Sequence, residues 1–380
     1  MSIKLHLKRI KPLFVGFDRT FFLFVLALIA VGMLTLYSAS FNMPGRVQDQ
    51  LRNILLTFAL MWGIANLSPQ VLIRLAVPLY TFGISLLIAV ALFGLIRKGA
   101  QRWINLGLVI QPSEIMKIAM PLMLAWYYQR REGALRWYDH IVALALLAVP
   151  VGLIAKQPDL GTAILVFSAG FFVIYLAGLS FKLIVPVLLA ITIAAGSLVV
   201  FQQKICQPQV QWPLLHDYQK HRVCTLLDPT TDPLGKGFHT IQAVIAIGSG
   251  GLFGKGWLKG TQAHLEFIPE RHTDFIFAVY AEEFGLVGSI ALLLLYLCLI
   301  VRGLYVAANG ATLFARLLAG SLTLSFFTYT FVNIGMVIGL LPVVGVPLPF
   351  MSYGGTALVT LGIAVGLIMS MGRQKPLIQS

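Results

Sequence analysis

The run Phe275-Ile-Phe-Ala-Val-Tyr-Ala-Glu-Glu-Phe-Gly-Leu-Val-Gly-Ser-Ile-Ala-Leu-Leu-Leu-Leu-Tyr-Leu-Cys-Leu-Ile-Val301 decides the fold. It is longer than the roughly 20 apolar residues a helix needs to cross a bilayer, and only Glu282 and Glu283 interrupt it with charge. It lacks the period-2 alternation of a membrane barrel strand, which excludes a porin-type barrel. Working outward, nine further apolar stretches stand at 21–40, 52–67, 71–95, 113–128, 141–156, 160–178, 182–201, 312–340 and 350–371. The expected fold is an all-α integral membrane protein with about ten transmembrane helices. The stretches 113–128 and 141–156 are short, so nine or eleven spans stay open. Residues 1–380 form a single polytopic membrane domain in this reading, with 202–273 a large extracytoplasmic loop within it.

Composition agrees. Hydrophobic residues make up 58% and charged residues 11%, against about 25% charged in soluble domains. Too few charges exist to cover a soluble surface, and disorder, collagen and a small disulfide scaffold are excluded with it. The net charge of +14 would suggest nucleic acid in a soluble chain. Here its distribution matters more, and no nucleic-acid partner is expected.

An even span count puts both termini on one side. That side's short segments carry 14 basic residues and the other side's carry 7, while the remaining 7 lie in the long loop. Long loops translocate largely regardless of charge, so both termini are expected in the cytoplasm and 202–273 outside. The apolar core 21–40 exceeds the usual 7–15 residues of a cleaved signal, so a retained signal anchor is expected.

Three irregular segments, 96–112, 202–273 and 341–355, then fall on the outer side. In the long loop, Phe238, Ile241, Val244, Ile245, Leu252 and Phe253 recur at near-helical spacing opposite His239 and Gln242. That pattern predicts a helix lying at the membrane interface or re-entering it. In 341–355, Pro342, Pro347 and Pro349 preclude regular helix although the segment is mostly apolar. Such backbone is tolerated at membrane depth only when buried in protein or lining a cavity, so a re-entrant loop beside a site is expected. Cys298 falls inside a span and reads as packing. Cys206 and Cys224 share the long loop, where oxidation would allow a bridge, and the sequence leaves their pairing open.

Ionisable groups in or beside spans are costly and so are functional candidates. Asp274 follows Glu270-Arg271-His272-Thr273 directly before an apolar run. A lone Asp there would read as a helix cap, but the neighbouring cation and imidazole point to a reactive site. Glu114 and Lys117 stand at i, i+3 behind Gln111-Pro112-Ser113, inside a span, where pairing is nearly forced. A structural ion pair and a substrate-cavity role have equal claim on them.

Lys98-Gly99-Ala100-Gln101-Arg102-Trp103 is a basic-aromatic cluster suited to phosphate or to an aromatic belt. Asp159 lies in the polar turn Gln157-Pro158-Asp159-Leu160-Gly161-Thr162. Tyr218, Lys220, His221 and Arg222 bring positive charge to the long loop, suiting an anionic head group or a solvated surface. Glu282 and Glu283 read as helix packing against neighbours.

Other chemistry is excluded. The stretch 248–256 has Ser249 where a phosphate loop needs its first glycine and Gly256 where it needs Ser/Thr, and Lys259 stands where a dinucleotide fingerprint needs glycine. No His-Glu-x-x-His, Cys-x-x-Cys or Asp-x-Asp occurs.

Three blocks resemble one family. They are Lys98-Gly-Ala-Gln-Arg-Trp-Ile with Gln111-Pro-Ser-Glu114, Phe267-Ile-Pro-Glu-Arg-His-Thr-Asp-Phe-Ile-Phe277, and Asn333 through Ser352-Tyr353-Gly354-Gly355. Over roughly 15–370 the chain is similar to the SEDS proteins (shape, elongation, division and sporulation). Pro342-Val-Val-Gly-Val-Pro-Leu-Pro349 looks more like the elongation branch than the division branch. The segment from Gln202 to Leu215 is longer than the family pattern.

The resemblance implies a peptidoglycan glycosyltransferase of the bacterial inner membrane that polymerises lipid II into a nascent glycan strand on the outer face. It also implies a class B penicillin-binding protein as partner, with MreC and MreD for the elongation branch. It maps the essential carboxylate onto Asp274 and the intramembrane acid-base pair onto Glu114 and Lys117. Arg102, Trp103, Asp159, Arg222, Arg271, His272 and Ser352 complete the expected substrate-binding set.

Asp274 would take the proton of the attacking C4 hydroxyl. Arg102, Lys117 and Arg222 would meet the leaving pyrophosphate, and a divalent cation (Mg or Mn) could ride on that pyrophosphate. A lipid II flippase, a non-enzymatic scaffold and an ion-coupled transporter are the alternatives. The first would need a polar path across the bilayer, the second leaves Glu114 and Lys117 unexplained, and the third would want carboxylates near the midplane.

Overall fold

The computed structural model describes residues 17–43, 45–97, 100–105, 107, 109–207, 209–210, 217–228, 236–264, 268 and 270–372. Each of the ten apolar stretches becomes one helix. These are α1 (Arg19–Ala39), α2 (Arg46–Ala65), α3 (Pro69–Phe93), α4 (Pro112–Arg130), α5 (Trp137–Lys156), α6 (Leu160–Leu176) and α7 (Phe181–Val200), and later α12 (Ile276–Ala308), α13 (Leu313–Val337) and α14 (Gly355–Gly372). Between α7 and α12 lie four shorter helices, α8 (Gln202–Ile205), α9 (Asp217–Leu227), α10 (Lys236–Ser249) and α11 (Thr261–His264). Among the described residues seven helices, α1, α3, α5, α7, α12, α13 and α14, are long and apolar enough to cross a membrane. The chain is thus a multi-pass helical membrane protein. Of the other three, α6 is apolar but has 17 residues, while α2 and α4 carry charge within their length.

Local chemistry sets the helix starts. Asp18, Asp159 and Thr312 cap α1, α6 and α13 by accepting the backbone N–H of Phe21, Thr162 and Ala315. Proline opens α3 and α4, where its missing N–H costs nothing. The core is formed chiefly by α4, α13 and α14, whose buried faces carry Met116, Met120, Leu318, Phe326, Val365 and Ile368. Helix α7 buries none of its described side chains, as expected of a helix whose apolar surface faces lipid.

Three features depart from the sequence reading. The segment 96–112, expected as a loop, contains a three-stranded antiparallel sheet of β1 (Leu95–Arg97), β2 (Ala100–Asn105) and β3 (Val109–Ile110). The strands are too short to give an alternating signal. The last helix begins at Gly355, because Phe350–Gly354 belongs to the irregular loop before it. Helix α12 runs on to Ala308 and is broken at Gly285, whose φ of 66° and ψ of −162° suit only glycine.

Cys206 and Cys224 form a disulfide between the end of α8 and α9. The small face of α10, Ala243 and Ala246, is buried, while Val244, Ile245, Leu252 and Phe253 are exposed. An apolar outer face of this kind suits the interface helix expected there. Lys98 and Gly99, with Phe267 and Pro269 of the second family block, lie outside the described residues. So do most of 208–216 and the two terminal segments whose charges entered the orientation argument.

Candidate functional site

The irregular segments meet at one end of the helix bundle. Arg271 donates from Nε to the carbonyl of Ala39 at the end of α1, at 2.8 Å. A cation there satisfies an orphaned carbonyl and complements the helix dipole. Gln50 of α2 bonds both the carbonyl of Ser352 and the N–H of Gly354. The first turn of α6 packs so closely on the 341–355 loop that a β-carbon at Gly161 would lie 2.6 Å from the Val344 carbonyl oxygen.

Asp274 lies in the middle of this assembly, and three consecutive carbonyls fix its backbone. The carbonyl of His272 accepts from the N–H of Tyr353 at 2.9 Å. That of Thr273 accepts from the Ser352 hydroxyl at 2.6 Å, and that of Asp274 accepts from Asn333 Nδ2 at 2.9 Å. Asn333 also donates to the Val346 carbonyl, and Ser352 Oγ accepts from the N–H of Leu348. Bonds of this kind are each worth about 0.5–1.5 kcal/mol net, and more to geometry when buried. The half-buried side chain points along Gly345, where a β-carbon would stand 3.4 Å from Oδ2. The backbone is thus clamped by groups that do not come from the carboxylate itself.

The expected neighbours divide into separate roles. Arg271 and His272 are buried, Arg271 on α1 as described. The His272 ring stands edge-on to Tyr353 at 5.8 Å, and the Arg46 guanidinium lies over the Tyr353 ring, 4.7 Å from its centroid. Ser352 has its hydroxyl engaged by the protein on both sides.

A second cluster surrounds the α6 N-terminus. Arg102, on β2, donates to the Pro158 carbonyl at 2.7 Å and lies 3.6 Å from Asp159 Oδ1. Gln111 Nε2 donates to Asp159 Oδ2 at 2.8 Å. Trp103 is half-buried and pairs with Leu95 across the hairpin. Arg222 is half-buried on α9 and lines a small crevice with Thr240, Leu341 and Pro342.

Glu114 and Lys117 pair at 2.6 Å, and Thr360 of α14 donates to the second Glu114 oxygen at 3.1 Å. Lys117 also lies 5.4 Å from the ring centroid of Tyr329. Gln111, Glu114, Thr356 and Thr360 are the polar residues lining a cavity of about 450 Å³ between α2, α3, α4 and α14, otherwise lined by leucine, isoleucine and valine. Gln111 therefore touches both the cavity and the Asp159 cluster. Among the described residues no group of three or more His, Cys, Asp or Glu side chains gathers as a metal would require.

Sequence reasoning missed Gln50, Gly161 and Gly345 as parts of this site. Gln50 looks like any polar residue early in a helix. Both glycines matter through what approaches them in space, which spacing along one chain does not reveal.

This geometry holds a carboxylate with a fixed backbone at the end of the bundle that also carries the Arg102–Asp159 cluster, and Gln111 links that cluster to the apolar cavity. Known proteins share its framework. Residues 18–376 match the family model FtsW/RodA/SpoVE, described as cell cycle protein. The peptidoglycan glycosyltransferase MrdB of Escherichia coli (strain K12) is 50% identical over 358 residues, covering 94% of each chain.

A solved structure described as structural coordination of polymerization and crosslinking by a peptidoglycan synthase complex matches with a TM-score of 0.75 and 34% identity. It covers 94% of this chain and 97% of that one. The crystal structure of the Thermus thermophilus rod shape determining protein RodA matches with a TM-score of 0.67 and 29% identity, covering 94% and 97%. The match over nearly the whole length, with half of the aligned residues identical to one relative, fixes the identity at family level: the chain belongs to the FtsW/RodA/SpoVE family of cell cycle proteins.

Proposed function

We infer that this chain is a peptidoglycan glycosyltransferase, and we propose that it polymerises lipid II on the outer face of the inner membrane with Asp274 as general base. The observation that carries the proposal is the triple carbonyl clamp, which holds the Asp274 backbone against the 341–355 loop and α13. In this mechanism the C4 hydroxyl of the acceptor sugar attacks the anomeric carbon of a lipid-linked glycan. Asp274 takes the hydroxyl proton, and the bond to the pyrophosphate oxygen breaks. A base so placed contributes typically 10²–10⁴-fold.

Lipid II is amphiphilic, and the apolar cavity with a few polar groups in its lining suits the first part of a polyprenyl tail. Arg102 is linked to that lining through Asp159 and Gln111 and can meet the developing phosphate charge. A divalent cation, where one takes part, would arrive on the pyrophosphate. Ten spans with cytoplasmic termini would put the clamp and the long loop outside, where polymerisation must occur.

A partner that cross-links the strands, a class B penicillin-binding protein, follows from the likeness to a synthase complex. MreC and MreD follow from the elongation-branch resemblance. The test is polymerisation of labelled lipid II in detergent, wild type beside Asp274→Ala, with and without the class B partner. Polymer from wild type alone is expected. Equal polymer from both removes Asp274 from the chemistry, and none under any condition turns the assignment toward a flippase or scaffold.

A further inference from the structure

We propose that Glu282, held by Lys255, is a positioning residue for Asp274: it fixes the far end of the half-helix that presents the carboxylate. The proposal rests on the reading of Asp274 given above. Helix α12 breaks at Gly285, so residues 276–284 are a separate half-helix not held straight by the remainder. A break inside a helix orphans carbonyls before it and N–H groups after it.

The segment 251–256 supplies their partners. The N–H groups of Lys255 and Gly256 donate to the carbonyls of Glu282 and Glu283, each at 3.0 Å. Those of Leu286 and Val287 donate to the carbonyls of Gly251 and Leu252, at 2.9 and 3.0 Å.

Side chains lock this strap in place. Oε1 of Glu282 accepts from Lys255 Nζ at 2.6 Å, from the N–H groups of Thr261 and Gln262 at 2.8 and 3.1 Å, and from the Thr261 hydroxyl at 3.0 Å. Lys255 in turn reaches Thr261 Oγ1 at 2.8 Å. Glu283 accepts from the Ser38 hydroxyl, tying the same end of the half-helix to α1.

Glu282 is fully buried at 0% exposure beneath the strap, so it cannot touch substrate and must act through what it holds. Asp274 lies eight residues earlier, in the turn just before the half-helix starts at Ile276. The half-helix is therefore pinned at both ends, by the carbonyl clamp near Asp274 and by the Glu282–Lys255 lock at the break. Releasing either end frees the carboxylate to shift.

The test uses the full chain with its class B partner and lipid II, comparing Glu282→Ala, the charge-free pair Glu282→Gln with Lys255→Met, and Asp274→Asn. Polymerisation gives kcat and KM, and backbone hydrogen exchange is followed over 276–284 with α14 as internal reference. For Glu282→Ala, kcat should fall about 100-fold with KM within about twofold, since a 1 Å misplacement of a reacting group costs about that much. Exchange should rise over 276–284 and not over α14.

The charge-free pair keeps the amide oxygen as acceptor for Thr261 and Gln262, and should recover kcat to within about tenfold of wild type. Unchanged exchange over 276–284 in Glu282→Ala, or a loss carried by KM alone, overturns the proposal. So does uniform loosening that includes α14. Exchange reports the lock without reference to chemistry, and polymer from Asp274→Asn reports the carboxylate alone, so the two readings fail separately.

Discussion

Replacing Ser352 by alanine removes one oxygen and two hydrogen bonds, and the consequences can be worked from the site. Its hydroxyl donates to the Thr273 carbonyl and accepts from the N–H of Leu348. Leu348 is 1% exposed, so its N–H loses its partner without water to replace it. An unsatisfied buried donor costs about 1–3 kcal/mol, and the half-buried Thr273 carbonyl adds roughly 1 kcal/mol. The sum is about 2–4 kcal/mol, which for a chain of this size is a melting shift of roughly 3–5 °C.

The lost bond is also the middle one of three that fix Asp274. The second effect should therefore fall on kcat, by about tenfold or more, with KM little changed. Thermal unfolding in detergent reads the first quantity and lipid II polymerisation reads the second. Ser352→Thr keeps the hydroxyl and separates loss of the bonds from crowding. A Ser352→Ala protein with melting within 1 °C and kcat within about twofold of wild type would refute the claim that this clamp orders the site.

Other consequences follow from the same contacts. Removing one member of the Glu114–Lys117 pair, as in Lys117→Met, should cost about 3–5 kcal/mol because it strands a buried charge. Glu114→Gln with Lys117→Met should recover most of that in a melting assay. Gly161→Ala would put a β-carbon 2.6 Å from the Val344 carbonyl oxygen, so the 341–355 loop must move. Polymerisation should fall by about tenfold or more while expression and membrane insertion persist. Cys206 and Cys224 should appear as one cross-linked peptide pair in non-reducing mass spectrometry, and two free thiols would contradict the pairing.

Much of the fold was legible because membrane helices write their length directly into the sequence. Each of the ten apolar stretches became a helix, and the pairing of Glu114 with Lys117 followed from the cost of a lone charge at that depth. The three prolines of 341–355 correctly marked a non-helical, buried loop, in which Val346, Leu348, Phe350 and Met351 are nearly inaccessible.

Features that depend on contacts between distant segments were not legible. The hairpin at 95–110 rests on strands of two to six residues, too short for a periodic signal. The break at Gly285 sits in a continuous apolar run, where a glycine reads as ordinary helix. Asp274 stood out by its charged neighbours, and the packing contacts those neighbours make were not legible. Arg271 holds α1 and His272 holds Tyr353, and only the fold reveals which polar groups face one another.

The most direct test of the central claim is lipid II turnover by Asp274→Asn, which keeps shape and hydrogen-bonding capacity but cannot take the hydroxyl proton. The expected result is a kcat lower by about 10²–10⁴-fold with lipid II affinity within about threefold of wild type. A kcat within about tenfold of wild type, at unchanged affinity, would contradict a general-base role and leave the clamped carboxylate without a part in bond formation.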